Sequence, residues 1–575
     1  MEADSVDGEI PARSTDLKPG LERWLVLFIF ALAILFRVVA LRSDNYLRLD
    51  WSAALLTDEG FYAHNARNVA LFGTARTDEF NNVLVSPILH VIQTIVFQLF
   101  GSGMLQARLI SAVLSLVGLG AFWLGLRKAF GSKIAVVGLL FLALGHINAL
   151  YNRMALMDTP AQAMACVAFL IFVWSTEREG IDKKRSTIGF VAVGLVLALT
   201  MITRNLTLFL LAAPIAGLYA KGDLRRQLGW FVGWAGAMLV CVLVWYLPNS
   251  AELGPMNHYY RVHQVQPHSL RHLLENIRHA FIGDFRGIMP YLFRHSPVVL
   301  TLAACGLATK FEMETGARSK RFLAAWFIAG WVMLSVISYS PSRYYVTVYP
   351  ALCALAAVGL MNLVPVVARI RASKSKLLPV AFGGLIGFHA ALSLVHFDGV
   401  LPQIETNVVL VLGAVIGVMI ALLGLRRGDF HIAPKYAVIC LGIWACVNIA
   451  WTVDWLSHLA YSQAEFSQEL GRTLPAGSVL IGDVAPGITM ENSFKAIHVQ
   501  VGLVNDHDPI GKFAGSPRYI AILDGKWREK WWVAHYPELI TPENQIALKR
   551  VLKWDIGIYR VDDNWKAKNG NKNAD

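Results

Sequence analysis

Leu56-Thr57-Asp58-Glu59-Gly60-Phe61-Tyr62-Ala63-His64-Asn65-Ala66-Arg67-Asn68 is the stretch on which the interpretation of this chain turns. Two adjacent carboxylates stand at the start of a helix-like segment, shortly after an apolar run at 22–41. That run is long enough to cross a bilayer core, which takes about 20 residues of helix for about 30 Å. One reading of the carboxylates is local: Thr57 or Asp58 caps the helix, and Glu59 sits at its positive end. The other is chemical: an acid held just outside a membrane. The rest of the chain decides between them.

The 575 residues are 55% hydrophobic and 16% charged, with a mean hydropathy of +0.48. Soluble domains run at roughly 45–50% apolar and about 25% charged. The composition excludes a string of soluble domains, a disordered chain and a collagen-like fibre. Six cysteines are too few for a disulfide scaffold, and all of them fall in apolar runs, as small buried hydrophobes do. A polytopic membrane protein remains. About twenty polar residues precede the first apolar run, which reads as a signal anchor and not as a cleavable leader.

Thirteen candidate spans follow, at 22–41, 105–127, 133–151, 158–175, 188–203, 205–220, 229–247, 296–310, 321–340, 345–366, 377–397, 405–425 and 434–456. The run 86–100 is short, starts near Pro87 and carries His90, Gln93 and Gln98, so it reads as a helix along the membrane surface. The net charge of +12 tests this count. With the N-terminal tail (1–20) in the cytoplasm, the cytoplasmic loops collect Arg127, Lys128 and Lys133, then Lys183, Lys184 and Arg185. The same holds for Arg225 and Arg226, for Lys320 and Arg321, and for Arg369 and Arg371. This is the positive-inside pattern, and it makes the positive charge a matter of topology and not of nucleic-acid binding. The membrane domain is 21–458, with long outer loops at 42–104 and 248–295, and a tail at 459–575 lies outside. Strand-like runs at 478–484, 496–504, 518–524 and 555–561, with a helical reading of 542–553, make that tail a small α/β domain. The expected fold is therefore an all-α polytopic membrane domain with a small extracytoplasmic α/β domain.

Few charges break the pattern. Asp158 opens an otherwise uncharged span in Leu156-Met157-Asp158-Thr159-Pro160, and an ionisable group there is expensive unless it functions. Arg204, in Thr203-Arg204-Asn205, and Arg343, in Ser342-Arg343-Tyr344-Tyr345, fall on the same outer face. Each calls for an anionic partner: Asp58, Asp158 or a phosphate, which suits the planar donor fork of arginine. The loop 248–295 carries His258, His263, His268, His272, His279 and His295 with five arginines, among them Arg261. It lacks the fixed spacing of a zinc site and reads as a basic cover over the outer face.

Taken in order, these residues resemble the GT-C glycosyltransferases, within them the protein-O-mannosyltransferase-like branch that includes the bacterial lipid A aminoarabinose transferases. The resemblance covers roughly 20–365 and rests on Asp58-Glu59, Arg108-Leu109-Ile110-Ser111-Ala112, Leu156–Pro160 and Arg343-Tyr344-Tyr345 through Tyr349-Pro350. The chain departs from the aminoarabinose transferases at Leu84-Val85-Ser86-Pro87-Ile88, where they carry Lys-Pro-Pro-Leu, and at Arg204-Asn205, where they carry Lys-Gly. The resemblance implies transfer of a sugar from a polyprenyl-phosphate donor to a hydroxyl acceptor on a glycan, lipid or protein. It places the enzyme in the bacterial inner membrane, with the active site facing the periplasm.

Within that frame Asp58 is the expected base, Glu59 supports it, and Asp158 orients a substrate or pairs with an arginine. Arg343, Arg204 and Tyr345 are expected at the donor phosphate; Arg261, His263 and Arg67 at the acceptor or the loop. No cofactor is required, although three outer carboxylates offer the oxygen ligands a divalent cation accepts. The sequence offers no nucleotide or nucleic-acid motif. The competing class is a lipid or lipid-sugar flippase, against which stand the rim position of the acids and the absence of repeated halves.

Overall fold

The structure, a computed structural model, describes residues 16–50, 52–177, 183–219, 224–282, 297–311, 313–366, 384, 411, 415–419, 435–513, 517–525 and 527–562. Helices follow the apolar runs. In chain order they are α1 (Pro19–Val38), α2 (Ala54–Phe72), α3 (Pro87–Phe100), α4 (Met104–Phe130), α5 (Ser132–Leu144), α6 (His146–Tyr151), α7 (Asp158–Glu177) and α8 (Lys183–Thr203). A 3₁₀ turn, Asn205–Leu211, leads to α9 (Ala212–Leu218), α10 (Leu224–Tyr246) and α11 (Ser250–Tyr260), which runs into a π turn, Arg261–Val265, before α12 (Leu270–Ile282). Then come α13 (Pro297–Ala308), α14 (Glu314–Val336), a 3₁₀ turn at Ser342–Thr347, α15 (Tyr349–Met361) and α16 (Lys435–Ser457).

Five of the described helices are long and apolar enough to cross a membrane, within α4, α7, α8, α10 and α16. Shorter apolar helices stand where further spans were expected, including α5, α13 and α15. The expected spans 377–397 and 405–425 lie almost wholly outside the described residues. α4 packs on α7, α8 on α10 and α13 on α15, around fully buried Phe122, Phe169, Phe172 and Trp326. Side chains such as Phe28, Val240, Val244 and Leu247 face outward, as a lipid-facing surface requires.

α4 sets the scale of the molecule. Its 27 residues span roughly 40 Å. At its C-terminal end Arg127 pairs with Glu22 at 2.6 Å and Lys128 with Glu177 at 2.5 Å. At the opposite end Arg108 meets α2, and the N–H of Met104 donates to Glu491 of the tail at 2.9 Å. The basic loops and the acid-bearing helix therefore occupy opposite ends of one long helix.

The tail begins at α17 (Ser462–Thr473) and carries β1 (Val479–Gly482), α18 (Ala485–Ile488), β2 (Lys495–His498), β3 (Arg518–Leu523), β4 (Gln545–Val551) and β5 (Trp554–Val561). The sheet order is β2-β1-β3-β5-β4. β2, β1 and β3 run parallel, and β5 and β4 are antiparallel. The stretch 542–553, read from sequence as helical, instead forms the edge strand β4. It pairs with β5 through the two-residue turn Leu552-Lys553, with Leu552 in the left-handed region at φ 54. Its exposed residues are Ile546, Leu548, Lys549 and Arg550, of which the two charged ones blunt the open edge, and the apolar Ala547, Leu548, Val551 and Leu552 recur at helical spacing.

Docking of the tail combines apolar contact, with Val484, Ala485 and Ile488 in one buried cluster with Leu55 and Leu56 of α2, and hydrogen-bonded caps. Asp44, between α1 and α2, accepts from the N–H groups of Ser462 and Gln463 at 2.9 and 3.0 Å, and so caps α17 from outside the tail. Arg67 on α2 donates to the carbonyls of Asn492 and Phe494, both at 2.8 Å.

Candidate active site

α2 starts at Ala54, three residues before Thr57, so neither Thr57 nor Asp58 caps it. Consecutive helical residues are about 100° apart around the axis. Asp58 and Glu59 consequently point to different surroundings. Asp58 is part-exposed and lines a cavity of about 460 Å³ at the outer end of the helices. Glu59 is 1% exposed and faces inward. Its two oxygens accept from Arg108 Nε and Nη2 (2.8 and 2.6 Å), from the N–H of Ala155 (2.7 Å) and from Asn45 Nδ2 (2.7 Å). Burial works to raise this carboxyl, but the Arg108 guanidinium and the converging donors outweigh it and hold it below the usual range.

A close backbone approach locks the next position. A Cβ on Gly60 would stand 2.4 Å from the backbone N of Gly487 and 2.5 Å from its Cα. Only glycine permits α2 to cross α18 at this distance. Glu59 on one side and Gly60 on the other fix the rotation of α2, and with it the direction of Asp58.

Asp58 Oδ2 lies 2.9 Å from Arg343 Nη2, which comes from the 3₁₀ turn between α14 and α15. Arg343 Nη1 is 4.0 Å from Asp50. Asp158, the first residue of α7, lies 3.0 Å from Arg204 Nε. The ring of Tyr344 joins the two pairs: Arg204 stands 4.4 Å and Arg343 5.2 Å from its centroid. The result is a row of alternating charge, Asp58, Arg343, Tyr344, Arg204, Asp158, built from four separate parts of the chain. Two guanidinium nitrogens in it, Arg343 Nε and Arg204 Nη2, are buried and have no hydrogen-bond acceptor among the described residues. Two arginines lining one cavity fit an anion of phosphate geometry.

The sequence-derived candidates divide accordingly. Asp58, Arg204, Arg343 and Arg261 line the cavity, and Asp158 stands behind it through Arg204. Glu59, Tyr345, Arg67 and His263 do not line it. The Tyr345 hydroxyl lies 2.7 Å from Ser340 Oγ, and its neighbour Tyr344 takes the cavity position. Arg67 ties α2 to the tail. His263 is exposed and its ring stacks on Tyr259. His268 and His272 do stack, at 5.3 Å, but among the described residues no three His, Cys, Asp or Glu side chains gather as a metal site.

Other residues were not foreseen. Asp50 is 6% exposed, and burial pushes its carboxyl up against the pull of Arg343. An acid eight positions before Asp58 in the same outer loop was visible in the sequence. Asp483, His498 and Gln500 of the tail also line the cavity. They fall within strand-like runs that the sequence had located; in the structure Asp483 follows β1 and His498 ends β2, and the carboxyl ends of parallel strands are where open α/β sheets bind ligands.

Comparison with known proteins agrees with this architecture. Residues 85–249 match the family described as dolichyl-phosphate-mannose-protein mannosyltransferase. No curated protein matches the sequence. Among solved structures, the chain is similar to ArnT from Cupriavidus metallidurans bound to undecaprenyl phosphate. The two are 19% identical, with 93% of this chain and 98% of that one covered and a TM-score of 0.55. Against the same protein in the apo state the identity is 18%, the coverage 94% and 98%, and the TM-score 0.55. A lower similarity, TM-score 0.46 at 12% identity over 84% of this chain and 65% of that one, is to the oligosaccharyltransferase of Archaeoglobus fulgidus. The fold is shared with ArnT over nearly the whole of both chains, in line with the helical membrane architecture the sequence implied. In this chain the helical domain carries its five-stranded sheet domain at the C-terminal end.

Proposed function

We propose that the chain is a glycosyltransferase that moves a sugar from a polyprenyl-phosphate donor to a hydroxyl acceptor. The reaction takes place on the membrane face that bears Asp58 and the C-terminal domain, the periplasmic face of a bacterial inner membrane. The observation that carries this reading is one cavity lined both by a carboxylate, Asp58, and by the guanidinium groups of Arg343 and Arg204. The undecaprenyl phosphate named for the Cupriavidus protein supports the class of donor.

The chemistry follows from the groups present. An alcohol is a weak nucleophile at neutral pH and needs a base for its proton. Asp58 takes that proton as the acceptor oxygen bonds to the anomeric carbon. The bond from that carbon to the phosphate oxygen breaks, and the phosphate leaves with the electron pair. The reacting carbon passes through an oxocarbenium-like state, as in glycoside hydrolysis, and attack from the face opposite the leaving group inverts it. Arg343 and Arg204 stabilise the charge that grows on the leaving phosphate. Phosphate drawn to Arg343 competes with Asp58 for the same guanidinium, so donor binding loosens the 2.9 Å pair and frees the carboxylate. Asp158 holds Arg204 in place.

The test is transfer of labelled sugar from a polyprenyl-phosphate donor by the protein reconstituted in liposomes. Asp58→Asn is expected to lower the rate by about 10²–10⁴ in protein that still purifies as a single folded species. Near-normal transfer by this variant would overturn the assignment of the base.

A further inference from the structure

Resting on the transferase reading above, we propose that Asp483 and His498 of the C-terminal domain form an acceptor subsite that recognises the hydroxyls of a saccharide. The two residues are neighbours across a parallel strand pair: Gly482 of β1 is in register with His498 of β2, and Asp483 follows Gly482. Both therefore stand at the carboxyl ends of adjacent parallel strands. Asp483 is 4% and His498 5% exposed, yet both line the cavity that holds Asp58. Groups this buried that still reach the cavity are placed there by the fold.

The placement of His498 is specified from several sides. Its N–H donates to Asp78 at 2.9 Å and its carbonyl accepts from Asn505 at 2.6 Å. Its ring meets Phe61 edge-on at 4.9 Å and Phe80 at 5.1 Å. Phe61 lies three residues after Asp58 on α2, on the same side of the helix and about 5–6 Å away between Cβ atoms. The tail thus sets an imidazole against Phe61, the residue about one helical turn on from Asp58, in the cavity that Asp58 also lines. The cations reach Asp58 from elsewhere, from the turn between α14 and α15. Donor phosphate and acceptor are in this way assigned to different walls of one cavity.

The chemistry of the tail wall suits a saccharide. A carboxylate accepts from two hydroxyls, an imidazole donates and accepts, and the Gln500 amide does both. The tail contributes no lysine or arginine to the lining. Phe61 and Tyr260 add rings against which the apolar face of a pyranose packs. Directional groups that both donate and accept, set beside aromatic faces, complement a polyol better than a phosphate or an extended peptide.

The experiment uses the full-length protein in detergent and two variants of nearly constant shape. Asp483→Asn keeps the size of the side chain, and His498→Phe keeps the contacts with Phe61 and Phe80. Three probes are titrated: undecaprenyl phosphate, a panel of methyl glycosides, and a peptide rich in serine and threonine. The wild type is expected to bind at least one methyl glycoside, and each variant to bind it about tenfold more weakly or worse. Undecaprenyl phosphate should bind the variants as it binds the wild type, which also shows that they are folded. Undiminished glycoside binding by both variants, or capture of the peptide in preference to every glycoside, overturns the proposal. So does a loss confined to undecaprenyl phosphate, which would move these residues to the donor. Failure of the wild type to bind undecaprenyl phosphate refutes the transferase reading separately, because the glycoside titrations do not depend on it.

Discussion

Replacing Glu59 by glutamine separates scaffold from chemistry in the Asp58–Glu59 pair. Four donors converge on the two Glu59 oxygens, two of them from Arg108, at 2.6–2.8 Å. An amide retains one acceptor oxygen and turns an NH₂ toward two groups that can only donate. It also removes the negative charge from a guanidinium that is 2% exposed. Arg108 has further acceptors in the carbonyls of Leu41 and Ser43, but no other anion pairs with it among the described residues. Breaking one partner of a buried ion pair costs about 3–5 kcal/mol, which corresponds to a fall on the order of 10 °C in a detergent melting midpoint. Size-exclusion recovery after heating measures this. Transfer assayed in the cold, where the variant stays folded, should keep most of its rate. An unchanged midpoint combined with abolished transfer would refute the argument and return Glu59 to the reaction itself.

Gly60→Ala forces α2 and α18 apart by about 1 Å, since ordinary contact begins near 3.4 Å and the added Cβ would sit at 2.4 Å. A displacement of about 1 Å at a reacting group costs on the order of 10² in rate, so transfer should collapse even in protein that purifies as a single species; a normal rate would show that α2 does not set the position of Asp58. Asp44→Ala uncaps α17 and should cost about 1 kcal/mol, read as faster hydrogen exchange at the start of that helix; unchanged exchange there would remove Asp44 from tail docking. Burial works to raise the Asp78 carboxyl, but His64 and the N–H of His498 prevail and hold it below its ordinary value. Its contribution to stability is therefore complete above about pH 4 and is lost as the pH falls through the lowered folded value. Opening of β2, read by hydrogen exchange, should not depend on Asp78 titration between about pH 5 and pH 8, above the ordinary carboxylate range, and an opening in that window that Asp78→Asn abolishes would refute the lowered value.

The sequence made the membrane class, the outer face and the isolated charges legible, because each leaves a mark along the chain. Lipid demands runs of apolar residues, topology demands cationic loops, and a buried charge stands out where only 16% of residues are charged. Asp58, Asp158, Arg204 and Arg343 were found on that ground. What the chain could not display was rotation. Asp58 and Glu59 are adjacent in sequence, but one faces the cavity and the other Arg108, and the same ambiguity exchanged Tyr345 for Tyr344. The tail's share of the cavity was hidden for a different reason. Asp483 and His498 are ordinary residues at strand ends until the domain is seated by Asp44, Arg67 and Glu491, contacts more than 380 residues apart in the chain. β4 was misread because Ala547 and Val551, and Leu548 and Leu552, recur four residues apart, the spacing of a helix face.

The crossing of α2 over α18 also decides which wall of the cavity can give way. Backbone lies against backbone at Gly60 and Gly487, with no side chain between them to rotate aside. The acid-bearing helix and the C-terminal domain must therefore travel as one body. The opposite wall is fastened differently. α11 is held by Glu252 to Arg76 and Asn81, at 3.2 and 3.1 Å on exposed surface, and by the Tyr259 hydroxyl to the carbonyl of Val501. Exposed pairs of this kind are worth under about 1 kcal/mol and weaken with salt. Rising salt should therefore loosen α11 at Glu252 before it disturbs the buried Asp58–Arg343 pair.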